Sequence, residues 1–328
     1  MNSLRTGLVF ATISGGVLSL QAQPSAIQTL QNDQLQRQLQ AEPPGLFAGT
    51  NAPELYPGEN LDVGPQRILR MIPRPTYFEG LFDTQVFYSD NANYAAQPAA
   101  VGSVVFVNTA QGAITSPVYN LGPGKAAAAI GAASQWYNYG NNQLEHLDFN
   151  AETVYASGKY TLGKWQAGVS LNLTRLVSQD SYDETYREFM PNLGIQRLIP
   201  ICDKMSFAVG DLVDYHLTEV PSTLGRVSDI NDRFDNTASV TFTWQLTRHM
   251  LLQPYYRFQY TYYQHNSLDT GDRNDYMQSF GLGAAYYFNS KLSARVFYNY
   301  NRKQSSDNYA PPYLEMNGGL GLTLDLKF

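Results

Sequence analysis

The sequence predicts an all-β protein, a transmembrane antiparallel up-and-down β-barrel of about twelve strands with a short N-terminal periplasmic extension. Three observations predict it. Apolar and polar residues alternate with period two through most of the chain after Tyr77. Only 15% of residues are charged, against roughly a quarter in soluble domains, while 24 Tyr and 16 Phe raise the aromatic share to 13%. Tight turns also alternate with long polar loops along the chain.

Arg5 precedes an apolar stretch, Thr6 to Leu20, followed by Gln21-Ala22. This reads as a signal peptide over residues 1–22, cleaved after Ala22. Thr12, Ser14, Gly15 and Gly16 leave the stretch too short and too polar to span as an anchor. Residues 23–77 form a Gln/Pro-rich extension. Ile27, Leu30, Leu35 and Leu39 at helical spacing predict a short helix there. Pro43, Pro44, Pro53, Pro57, Pro65, Pro73 and Pro75 then break any regular element.

Residues 78–328 carry the barrel. Twelve strands are expected at 78–90, 110–121, 126–138, 146–161, 164–178, 186–199, 204–217, 234–247, 249–264, 274–288, 291–303 and 314–328. The last shows the pattern most clearly: Leu320, Leu322, Leu324, Leu326 and Phe328 on one face, Gly321, Thr323, Asp325 and Lys327 on the other. The strand from 164 sets Trp165, Ala167, Val169, Leu171 and Leu173 against Gln166, Gly168, Ser170 and Asn172. The strand from 234 sets Val240, Phe242 and Trp244 against Thr241, Thr243 and Gln245. The second and third strands alternate poorly. Leu162-Gly163-Lys164, Arg248-His249 and Asn289-Ser290-Lys291 read as tight turns, whereas Thr218–Arg233, His265–Arg273 and Gln304–Pro312 read as long loops. Aromatics such as Tyr262, Tyr263, Tyr286, Tyr287, Tyr298 and Tyr300 gather near strand ends, as girdles do at a membrane interface.

Leu322, Leu324, Leu326 and the final Phe328 resemble the C-terminal assembly signal of bacterial outer-membrane proteins. Phe82-Asp83-Thr84-Gln85-Val86-Phe87-Tyr88-Ser89-Asp90-Asn91 is similar to the first strand of β-barrel porins, including those found with exopolysaccharide export loci. The resemblance implies export to the bacterial outer membrane and recognition by its assembly machinery. Outer-membrane lipid and lipopolysaccharide then become partners of the wall. It supplies no catalytic residues.

Strand parity assigns the interior. Asp83, Gln85, Asp148, Glu152 and Asn172 are expected to line the lumen, with Asp214, Arg257, Gln259, Arg295 and Asn299. Both signs of charge occur among them, as in a water-filled channel. The leading expectation is a porin-like diffusion channel for small hydrophilic solutes. The alternative is a closed structural or accessory barrel of the envelope, its charges paired across a filled lumen. A third reading, a lipid hydrolase, rests on His265-Asn266-Ser267, but the pair has lumenal parity and no orienting acid or amide at the expected spacing. No enzyme is therefore expected.

No cofactor or metal is expected either. His146, His216, His249 and His265 lack metal-ligand spacing, and Cys202 is the lone cysteine. Asp269, Asp272, Asn274 and Asp275 could offer oxygen ligands to Ca²⁺, in a run too irregular for an EF-hand loop. The net charge of −6 argues against a nucleic-acid partner. Asp211 falls on the lipid-facing parity, which predicts a bulge or subunit contact there.

Overall fold

The computed structural model describes residues 77–220, 229–266, 268, 271–310 and 312–328. The expected signal peptide, residues 23–76 of the extension, and Ser267 and Asp269 lie outside them. Thirteen strands form one sheet: β1 (Phe78–Ser89), β2 (Ser103–Thr115), β3 (Tyr119–Leu121), β4 (Gly124–Tyr139), β5 (Phe149–Leu162), β6 (Trp165–Ser178) and β7 (Glu184–Cys202). They continue with β8 (Met205–Glu219), β9 (Arg233–Thr247), β10 (Met250–Tyr263), β11 (Arg273–Tyr287), β12 (Leu292–Ser305) and β13 (Tyr313–Lys327). Consecutive strands from β3 to β13 pair antiparallel, β1 pairs with both β2 and β13, and β2 pairs with β4. The sheet therefore closes as a twelve-strand barrel, with short β3 appended to β4.

Closure joins the two ends of the barrel sequence. Phe82 lies opposite Leu324 and Val86 opposite Leu320, so β13 presents Leu320, Leu322 and Leu324 outward beside Phe82 and Val86. Phe328 sits at the end of this seam, its ring 6.0 Å from that of Phe78. On the short-turn side the two-residue turn after β5 needs Gly163, whose φ of 58° an L side chain rarely adopts.

Outward positions form an apolar belt. Leu171, Val209, Phe280, Leu282, Val296 and Leu320 are all exposed although large and hydrophobic. A belt of this size on a soluble protein would be an aggregation surface, and on a barrel it is the surface that meets lipid. Tyr263 and Tyr287, expected in the girdles, instead have the inward parity of their strands, β10 and β11.

The structure corrects the second strand. It runs 103–115 instead of 110–121, paired with β1 from Phe78↔Ile114 to Ser89↔Ser103. The reason lies in its packing. Val105 and Val107 are fully buried inside the barrel while Val104 and Phe106 are exposed outside, so both faces are apolar and the alternation vanishes.

Asp211 faces outward without a bulge, because the β7–β8–β9 register runs unbroken past it. Its carboxylate accepts bonds from Asn236 Nδ2 at 3.1 and 3.3 Å on the same outward face. The adjacent amide, one strand over, stands where a bulge was expected.

Arg placed at Leu171, Val209 or Leu324 should destabilise the inserted barrel by about 2–4 kcal/mol near mid-depth. Asn172→Arg and Thr243→Arg, on inward faces, should cost much less. Unfolding titrations from lipid vesicles check this, and equal sensitivity on both faces would contradict the assigned parity.

Candidate functional site in the barrel lumen

Each of the twelve barrel strands sends at least one buried side chain into the lumen. Among the described residues the buried inward set has two chemistries. On β2, β4, β5, β6 and β7 an apolar and aromatic group gathers, Val105, Val107, Tyr137, Phe149, Leu176 and Tyr186, with the buried Thr109, Gln135 and Thr174 beside it. Loop residues Ala92, Leu144, Leu147 and Ile230 pack on them, so this cluster closes the long-loop end of that wall. Tyr137 and Phe149 stack with ring centroids 4.4 Å apart.

The other wall carries the buried charges, among apolar side chains such as Leu251, Met277 and Phe297. Glu188, His216, Arg233 and Asp235 are all buried and form one ionic cluster across β7, β8 and β9. His216 Nδ1 lies 2.5 Å from Glu188 Oε1, and its Nε2 lies 3.1 Å from Asp235 Oδ2. Arg233 reaches the same two carboxylates at 3.3 and 3.4 Å, and Tyr186 donates its hydroxyl to Glu188 at 2.8 Å. Two acids thus share one guanidinium and one imidazole. Water cannot solvate any of the four, so each holds its place through the others.

Further round, Arg273 and Lys303 both pair with Asp275 at 2.8 Å. Asp275 therefore belongs to a lumenal ion pair, which removes it from the oxygen cluster considered for Ca²⁺. Glu315 accepts from Ser89, Asn301 and Asn317, and Asn299 donates to Asn317 and accepts from Tyr255. Toward the short-turn end Arg295 holds Asp83 by two bonds, at 2.8 and 2.9 Å, and Gln85 at 2.9 Å.

Ten residues are expected in the lumen. Asp83, Gln85, Asn172, Asp214, Arg257, Gln259, Arg295 and Asn299 occupy inward positions, and Arg257 donates to Ser279 at 3.0 Å. Two are corrections. Glu152 faces outward and pairs at 2.6 Å with Arg175, both side chains about half exposed near the long-loop ends of β5 and β6. Asp148 precedes β5 and lies outside the wall, accepting bonds from the Tyr139 N–H and Asn138. Burial pushes its carboxyl above the usual value, against those two bonds.

One cause explains both corrections. The apolar cluster draws Phe149 and Ala151 inward, so the even-numbered residues of β5 must point out. Arg233 escaped the sequence reading because β9 begins one residue earlier than the alternation suggests, and Glu188 because its strand alone carries no sign of its partners on β8 and β9. His265 lies past β10 with Nε2 4.0 Å from Asp229 Oδ2, and its expected partner Ser267 lies outside the described residues.

Below the closed region a cavity of about 950 Å³ lies against the short-turn halves of β4–β9. Ser157, Gln166, Ser170, Asn192, Gln196 and Ser239 line it, with Gly168, Gly194 and Gly210 between them. Its volume falls in the range of about 300–1,000 Å³ found for small-molecule sites.

The closed wall, the outer apolar belt and the filled lumen decide the class. The chain is an outer-membrane-type β-barrel. No protein-family model matches it, and no curated protein matches it in sequence. Its architecture is similar to that of an outer-membrane channel from Pseudomonas putida F1, with 11% identity and a TM-score of 0.47 over 80% of this chain and 99% of that one. The β domain of the Bordetella autotransporter BrkA gives 10% and 0.44 over 75% and 98%. A bacterial polysaccharide outer membrane secretin gives 10% and 0.44 over 77% and 99%. These likenesses concern the barrel as a shape and carry no residue roles to this chain.

Glu188→Ala should destabilise the barrel by about 3–5 kcal/mol, because it strands His216 and Arg233 without one of their two acids. Glu152→Ala should cost no more than about 1 kcal/mol, since that pair is exposed. Denaturant unfolding of both variants in the same lipid checks the contrast.

Proposed function

We propose that this protein is a bacterial outer-membrane barrel, porin-like in architecture, whose lumen is closed to free diffusion at rest. Its short turns face the periplasm, as in other barrels of this kind. Small hydrophilic solutes reach the cavity from that side and pass only when the packed region above it rearranges. One observation carries the reading: a complete ring of buried inward side chains stands above an accessible cavity. An open pore would leave such side chains wet.

A second reading, a permanently closed accessory barrel, is favoured by the apolar half of the seal. Tyr137, Phe149, Leu176 and Tyr186 gain nothing from contact with a hydrophilic solute, and together they pack as a core does. No reaction is proposed.

Planar-bilayer recording of the full chain separates the readings. Wild type should show no steady conductance steps at low voltage. Arg257→Ala combined with Gln259→Ala, which trims two buried inward side chains, should produce steps. A wild type that stays open overturns the proposal, and silence from both proteins selects the permanently closed barrel.

A further inference from the structure

The lumenal cavity differs in chemistry from the lumen above it. Gln166 on β6 lies directly opposite Gln196 on β7, and Ser170 opposite Asn192, with Gly168 facing Gly194 between these pairs. All six positions face inward and line the cavity. The result is a small platform: amides at three corners, a hydroxyl at the fourth, and bare backbone in the middle. The next strand extends the floor with Gly210, opposite Gln196.

Three unengaged amides meet here. Among the described residues, the side chains of Gln166, Asn192 and Gln196 make no hydrogen bond or ion pair. The lumen amides above are engaged: Gln85 by Arg295, and Asn299, Asn301 and Asn317 in the Glu315 network. Charge is distributed the opposite way. Of the inward side chains lining the cavity only Glu79 and Lys159 are charged, since Asp211 turns outward to Asn236. Arg233 and Arg295 are already held by acids.

An amide presents a donor and an acceptor together, and so does a hydroxyl. An uncharged surface of paired donors and acceptors therefore suits a solute that is itself rich in hydroxyls and uncharged. Charge reaches the platform at its β5 edge, where Lys159 lies opposite Gly168, while the six platform positions themselves offer a charged solute no counter-charge. We propose that the cavity is a binding site for neutral, hydroxyl-rich solutes of the saccharide class, held by Gln166, Asn192 and Gln196. This rests on the reading of the cavity as the solute-accessible part of the lumen.

Titration calorimetry of the full chain in nanodiscs, free of sugar-based detergent, tests it with maltotriose, galacturonate and glucosamine as probes. Maltotriose should bind more tightly than either charged probe. Gln166→Ala and Gln196→Ala should each weaken maltotriose about tenfold, a typical loss for one hydrogen-bonding group. Gln166→Glu should admit glucosamine, with unchanged heat-modifiable migration showing that the barrel is intact. No maltotriose binding, equal binding of the charged probes, or affinity indifferent to these substitutions would overturn the proposal. Its failure is separable from that of the closed-lumen reading, because bilayer recording reports the seal whether or not a saccharide binds.

Discussion

A twelve-strand barrel gives its inward side chains one narrow space, and every charge that enters it must stay in water or find a partner there. Much of this molecule follows from that constraint. Arg233, His216, Glu188 and Asp235 interlock because all four leave water together. Arg295 grips Asp83 across the β1–β13–β12 seam for the same reason. Where the wall carries no charges, aromatic and aliphatic groups fill the space instead, and the lumen becomes a core. The short-turn half of β4–β9, built largely from Gly, Ser and amides, leaves room.

The same packing determined how much could be read in advance. Strands with one lipid face and one polar face, such as β6, β9, β12 and β13, announce themselves by alternation, and their parity holds in the structure. Strands whose inward face is itself largely apolar, such as β2 and the start of β5, do not. In β2 both faces are apolar, so its position slipped by seven residues at the start. In β5 the odd face carries Phe149, Ala151 and Tyr155, which look lipid-facing, and Glu152 consequently seemed lumenal. A filled lumen erases the difference between inside and outside that the sequence argument relies on.

The candidate site was legible as a set of inward polar positions and not as a set of partners. Which acid meets which base depends on register and stagger around the barrel, and single strands carry no record of that. Arg257 and Arg295 were both identifiable as inward bases. That one would reach Asp83 and the other Ser279 follows only once β1, β10, β11, β12 and β13 are set side by side. The platform of Gln166, Asn192 and Gln196 was likewise visible as three inward amides, and its coherence comes from the β6–β7 register.

The central claim is that solvent enters the lumen only as far as the cavity below the packed ring. Cysteine accessibility measures this directly, in a Cys202→Ser background that removes the exposed native thiol. Ser157→Cys and Ser239→Cys, at the cavity, should react with a hydrophilic maleimide added from the short-turn side of reconstituted vesicles. Ser279→Cys, at a position with no exposed surface, should not react from either side. Reaction at Ser279→Cys as fast as at Ser239→Cys would contradict a closed lumen and show a barrel open from end to end.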